Sequence, residues 1–323
     1  MKKRGFAFLM SMSLLALASC STAETPEIAS GTPTENTGSQ GEEAVETVQL
    51  DPIQIATKPM VEQFILGEML GLLIEDVGYE VEITKGIAGG TSNIQPAMEA
   101  KEFDLYPEYT SSGWVLVLGN EAGSIDDSEM LEALQAGYSE NYGMTWVGMY
   151  GFNNTYTIAV RQEIADQYGL VDTSDLQAVA SELNFGSNPD YIERADGFPA
   201  LCETYGLKFA SVSDVDIGLK YQALSSGDID VSTAFTTDAA LANPDAPVAV
   251  LNDDLGLQVN YFCSTIVREE VLEEYPLLED ALLKMDGILS DKEMAELNFK
   301  VEQGEDELEV ARTYLVDKGL LDG

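Results

Sequence analysis

Residues 97–110, AMEAKEFDLYPEYT, and residues 223–236, ALSSGDIDVSTAFT, align without a gap. The register sets Ala97 on Ala223, Asp104 on Asp230, Tyr109 on Phe235 and Thr110 on Thr236. In both copies a helix end runs into an alternating strand that closes on an aromatic residue followed by threonine. A unit that occurs twice predicts two similar α/β lobes, each offering an aromatic from the end of an equivalent strand. Ligands of open α/β sheets sit outside such carboxyl ends.

The surrounding pattern agrees. An extended run at 48–57 leads into a helix whose Val61, Ile65, Met69 and Leu73 recur at helical spacing, with Pro59 where a first turn tolerates it. A strand is predicted at 79–84, a glycine-rich turn at 86–91, a helix at 93–101 and a strand at 103–107, giving β-α-β-α-β and a largely parallel sheet. The glycine turn lacks a Walker lysine and the GxGxxG spacing, so it reads as a turn with its backbone near a ligand. A second α/β unit follows from Gly151. The final fifty residues read as helices, with Pro276 opening one, Ser290 and Glu293 boxing the start of the next, and a third over 301–315.

Residues 103–114, FDLYPEYTSSGW, gather aromatics, carboxylates and hydroxyls where the strand gives way to turn chemistry at Pro107 and Ser111-Ser112-Gly113. Tyr106, Tyr109 and Trp114 allow two readings there, packing residues or the wall of a site.

The N-terminus sets the compartment. Lys2, Lys3 and Arg4, an apolar stretch too short to span a bilayer, and the ending LASC form a lipoprotein leader at 1–20, with Cys20 lipidated. Residues 21–48 are rich in Ser, Thr, Gly, Pro and Glu and read as a flexible tether. The net charge is −41, which excludes nucleic-acid binding through phosphate neutralisation. The chain has no histidine, so His-based triads, bases and metal sites are excluded. Cys202 and Cys263 lack zinc or redox spacing and are either a disulfide or two buried thiols.

IATKPMVEQFILGEMLGLLIED, the GGT turn, DLYPEYTSSG, GFNNTYTIAVR, ERADG, LKYQALSSGDIDVSTAFTTD and ELNFKVE, in this order, resemble the glycine betaine/choline-binding lipoproteins of osmoprotectant ABC importers. The resemblance covers roughly residues 53–321. It implies a two-lobed periplasmic-binding-protein fold of type II, with two crossings between lobes: lobe 1 from 49–152 and 258–323, lobe 2 from 153–257.

That family holds a quaternary ammonium in a cage of rings. A trimethylammonium has no N–H to donate, whereas ring faces attract it by roughly 0.5–2 kcal/mol each, without a buried carboxylate. Motif positions carry the cage onto Tyr109, Tyr156, Phe235 and Tyr261. They carry the ligand-carboxylate contact onto Arg194, with Lys58 and Ser112 as further polar contacts. The residues alone offer other roles: a surface ion pair with Glu193 or Asp196 for Arg194, a solvated helix start for Lys58, and plain turn chemistry for Ser112. Phe235 replaces a tyrosine often found there, Ser112 a threonine or aspartate, and Asn260 with Cys263-Ser264-Thr265 a more Pro- and Ala-rich segment.

The resulting expectation is a monomeric, membrane-anchored, extracytoplasmic receptor. It delivers glycine betaine, or else choline, carnitine or proline betaine, to an ABC transporter permease, with no cofactor, no metal and no chemistry on the ligand. Arg194 and Lys58, with no aspartate at 112, favour a zwitterion over choline. The rivals are a sensor for the same ligands and an enzyme using Glu108 and Asp104.

Overall fold

The computed structural model describes residues 50–322 apart from 217 and 246. The expected leader with Cys20 and the tether at 21–48 lie outside the described residues. Among those described, β1 (Ile53–Ala56), β2 (Val81–Thr84), β3 (Leu105–Tyr109), β4 (Met144–Asn153) and β10 (Phe262–Arg268) make a first sheet in the order β2-β1-β3-β10-β4. A second sheet holds β5 (Tyr156–Arg161), β6 (Asn184–Ser187), β7 (Ser211–Asp214), β8 (Val231–Phe235) and β9 (Val248–Leu251), in the order β7-β6-β8-β5-β9. Each carries its own apolar core, so the protein is a two-lobed α/β structure. The chain passes between the sheets at 153–156 and again at 251–262.

The two sheets correspond strand by strand. Two neighbouring pairs are parallel and two antiparallel in each, and the central strands are β3 and β8, the strands that the alignment pairs. Asp104 and Asp230, just before them, do the same work. The Asp104 carboxylate accepts the Gln54 N–H at 2.7 Å and pairs with Arg268 at 2.5 Å. That of Asp230 accepts the Asn184 N–H at 2.9 Å and pairs with Arg161 at 3.1 Å. Charge-assisted bonds of this kind contribute about 1.5–3 kcal/mol each, and here they fix the foot of each central strand.

The strand expected to stop at Pro107 runs to Tyr109, and the expected loop at 111–113 is a helical turn, Thr110–Ser112, continuing into a π-helical turn, Gly113–Val117. Pro107 pairs in register with Thr265 of the antiparallel neighbour β10, while pairing with β1 is found at Ile55 beside Leu105 alone. Tyr109, of the same parity, gives its N–H to the Glu108 carboxylate at 2.6 Å instead of to a strand.

Helix α1 (Val61–Asp76) is buried well beyond its expected stripe, and Gly67 and Gly71 make this close packing fit. A Cβ at Gly67 would lie 2.6 Å from Thr57 Cγ2. The later helices used below are α2 (Thr91–Glu99), α3 (Phe198–Tyr205), α4 (Lys220–Ser226), α5 (Asp291–Glu302) and α6 (Glu307–Asp317). The capping box of Ser290 and Glu293 opens α5, and the third helix begins later than expected because Gly304 turns left-handed and Asp306 caps a new start. Although its sequence follows β10, α5 packs on residues Ala239–Ala242 of the second lobe.

Candidate functional site

Strand direction brings the site together. Because β10 runs antiparallel to β3, the start of β10 lies beside the end of β3, with Cys263 opposite Tyr109. In the second sheet β5 starts where β8 ends, with Tyr156 opposite Phe235. Tyr109, Tyr156, Phe235 and Tyr261 therefore face one cavity of about 530 Å³, which Arg194 also lines. The Tyr156 and Phe235 rings lie 4.5 Å apart between centroids, and Tyr191 backs Tyr156 at 5.4 Å. Tyr106 and Trp114, by contrast, pack into a core of the first lobe.

Arg194 follows the short helix Pro189–Glu193 in a tight turn that only glycine can close, since a Cβ on Gly197 would meet the Tyr191 carbonyl at 2.2 Å. Its guanidinium grips Asp196 with two bonds of 2.6 Å and is about half exposed. Arg194 is thus both a cavity residue and half of a surface ion pair.

Glu62 on α1 is a site residue that sequence reasoning missed. It is 4% exposed and lines the cavity. Its carboxylate accepts the Tyr109 hydroxyl, Asn154 Nδ2 at 2.9 Å and Asn298 Nδ2 at 3.5 Å. Burial raises its pKa, against the pull of hydrogen bonds from Tyr109, Thr237, Asn154 and Asn298. Burial also pushes the Tyr109 phenol well up, helped by the Glu62 charge, so Tyr109 stays protonated and donates. Asn298 on α5 also gives Nδ2 to the Thr237 carbonyl at 2.9 Å, joining Glu62 to the second lobe. A glutamate in the first turn of a largely apolar helix was a visible signal. Asn298 sits inside ELNFKVE with nothing local to mark it.

Residues 51–317 match the OpuAC family, the substrate binding domain of ABC-type glycine betaine transport system. The chain belongs to this family. The ergothioneine transport permease/ergothioneine binding protein EgtU of Helicobacter pylori (strain G27) is 38% identical over 255 residues, which are 79% of this chain and 45% of that protein. The chain thus spans less than half of that relative's length. The carnitine transport binding protein OpuCC of Listeria monocytogenes is 33% identical over 255 residues, 78% of this chain and 82% of that one. A crystal structure of a glycine betaine/carnitine/choline ABC transporter matches with a TM-score of 0.78 at 28% identity, over 84% of this chain and 100% of that one.

Two positions carried over from the OpuAC-type resemblance lie away from the cavity. Lys58 is buried and ion-paired with Glu108, which also accepts Thr91 Oγ1 at 2.7 Å. The glycine turn packs on the Lys58 stem, not on the cavity. Lys58 Nζ lies 4.7 Å from the centre of the Tyr109 ring, so it supports that ring and is not among the residues that line the cavity. Ser112 is half-buried on its helical turn outside the cavity lining, because the chain after Tyr109 coils away instead of looping over the site.

Glu108 and Asp104, the pair considered for acid–base work, are both held in ion pairs outside the cavity lining. Cys202 and Cys263 are free thiols. Cys263 belongs to the core of the first lobe, whereas Cys202, on α3, packs against that of the second, so the disulfide alternative is not realised.

Proposed function

We propose that this protein is an extracytoplasmic solute receptor, anchored through lipidated Cys20 and acting as a monomer, that captures a quaternary ammonium solute and hands it to an ABC importer's permease. The observation that carries this reading is the convergence of Tyr109, Tyr156, Phe235 and Tyr261 on one cavity with Arg194. Tyr109 and Tyr261 come from the first lobe and Tyr156 and Phe235 from the second, so closing the lobes would complete a cage around the cation. Each ring face would contribute roughly 0.5–2 kcal/mol to a desolvated ammonium.

Of the compounds in the names of similar proteins, glycine betaine, carnitine and ergothioneine share a trimethylammonium group and a carboxylate, while choline shares the first group alone. Arg194 suits the second group, because its planar fork can leave Asp196 for, or share it with, a ligand carboxylate. The receptor binds without transforming its ligand. The test is a calorimetric titration of the purified protein with glycine betaine, carnitine, proline betaine, ergothioneine and choline. Saturable binding of at least one zwitterion is expected, tighter than choline. Silence across the panel would remove the reading.

A further inference from the structure

Three carboxylates buttress the Tyr109 and Phe235 rings, and two have a lysine. Glu108 pairs with Lys58, and Asp238 pairs with Lys220 at 2.8 Å. Glu62 is nearly as buried as Glu108 and more so than Asp238, but among the described residues it has no lysine or arginine within ion-pair distance. Its partners, the Tyr109 hydroxyl and the Asn154 and Asn298 amides, are all neutral. Neutral donors solvate a carboxylate without cancelling its charge, and an uncompensated buried charge is costly. The fold keeps that cost at a residue lining the cavity.

We propose that Glu62 is a specificity-determining counter-charge: the ligand's cationic nitrogen, held against the Tyr109 ring, is the partner that this carboxylate lacks. The inference rests on the cage reading above. Two effects act in the same sense. The carboxylate attracts the cation directly through a poorly screened interior, and by accepting the Tyr109 hydroxyl proton it enriches the ring face that the cation meets. The site therefore selects a permanent cation over a neutral group of the same shape, which rings alone do less sharply.

Glu62 and Glu302 are the cavity-lining carboxylates without an ion-pair partner among the described residues, and burial raises the pKa of both. Tyr109 and Cys263 are held protonated by burial, and Glu108 is tied to Lys58 behind the ring. Across the cavity Asp238 is tied to Lys220 and Arg194 to Asp196, leaving Glu302 at the exposed rim. With burial raising the Glu62 pKa, the site loses its counter-charge as pH falls, and a bound cation opposes that loss.

The test compares wild type, Glu62→Gln and Glu302→Gln by calorimetry, using the tightest zwitterion of the panel and 3,3-dimethylbutanoate, the uncharged-carbon isostere of glycine betaine. Glu62→Gln should weaken the zwitterion about tenfold or more. It should leave the weak isostere unchanged and keep Tm at or above wild type, because it removes an unpaired buried charge. Wild-type and Glu302→Gln affinity should fall as the pH is lowered from neutral towards the carboxylate range, while Glu62→Gln stays flat. Zwitterion affinity within about twofold in Glu62→Gln, or a loss shared by the isostere and by Tm, overturns the counter-charge while the cage stands. If no quaternary ligand binds wild type, both readings fall together.

Discussion

Tyr109 and Phe235 end the two central strands, and each ring has a lysine beside it: Lys58 Nζ at 4.7 Å from the first and Lys220 Nζ at 5.7 Å from the second. The lysines are matched in turn by Glu108 and Asp238, which also accept the backbone N–H of Tyr109 and of Phe235. The two rings are therefore supported alike, although by residues that the alignment does not pair, since Glu108 falls on Ala234 in it.

Breaking one such support should be costly. Lys58→Met leaves Glu108 buried and unpaired, and a loss of about 3–5 kcal/mol in denaturant unfolding is expected. Lys58→Met with Glu108→Gln should recover most of it, since a neutral pair leaves no stranded charge. If the double variant is as unstable as the single, the pair is not the source of the loss.

Arg194→Ala should weaken carboxylate-bearing ligands by about tenfold or more and choline by less than about threefold, as measured by titration calorimetry. Equal losses for both classes would mean that Arg194 acts only on cage geometry.

Acid sensitivity has one clear local source. Glu293 accepts the Ser290 N–H in the α5 cap and pairs with Lys318 at 2.7 Å, and with the salt-bridge hydrogen bond as the main cause its pKa falls from 4.5 to about 2. A depressed carboxylate stabilises the fold above its unfolded pKa and loses that contribution as pH drops from 4.5 towards about 2. Glu293→Gln should therefore melt lower than wild type at neutral pH and converge with it near pH 2. The effect is modest, because the pair is about one-third exposed.

Reductant should leave Tm unchanged, because Cys202 and Cys263 lie in separate lobes as free thiols. Cys263 is fully buried and its thiol is pushed well up by burial, so alkylation should reach it only after unfolding. A melting shift with reductant would indicate a bond between them.

The legible part of the fold was what repeats or alternates locally. The pairing of Asp104 with Asp230 and Tyr109 with Phe235 is written in fourteen aligned residues, and the strands built from them correspond as the alignment requires. The family resemblance pointed to four rings and Arg194, and these five residues line one cavity. Partners distant in sequence were not legible. Glu62 and Asn298 lie 236 residues apart, and neither announces the other. Lys58 looked like a ligand contact because its motif could not show that Glu108, on the next strand but one, would claim the ammonium. Pro107 looked like a strand end because a residue without an N–H argues against a central strand, and the pairing with Thr265 that carries the strand on is tertiary.

The central claim is that Tyr109 and Phe235 are two walls of one cation cage. Titration of wild type, Tyr109→Ala, Phe235→Ala and the double variant with the tightest quaternary ligand tests it most directly. Each single change should weaken binding about tenfold, and the double should abolish measurable heat while the variants remain folded by circular dichroism. Affinity within about twofold of wild type in folded single variants would contradict the cage.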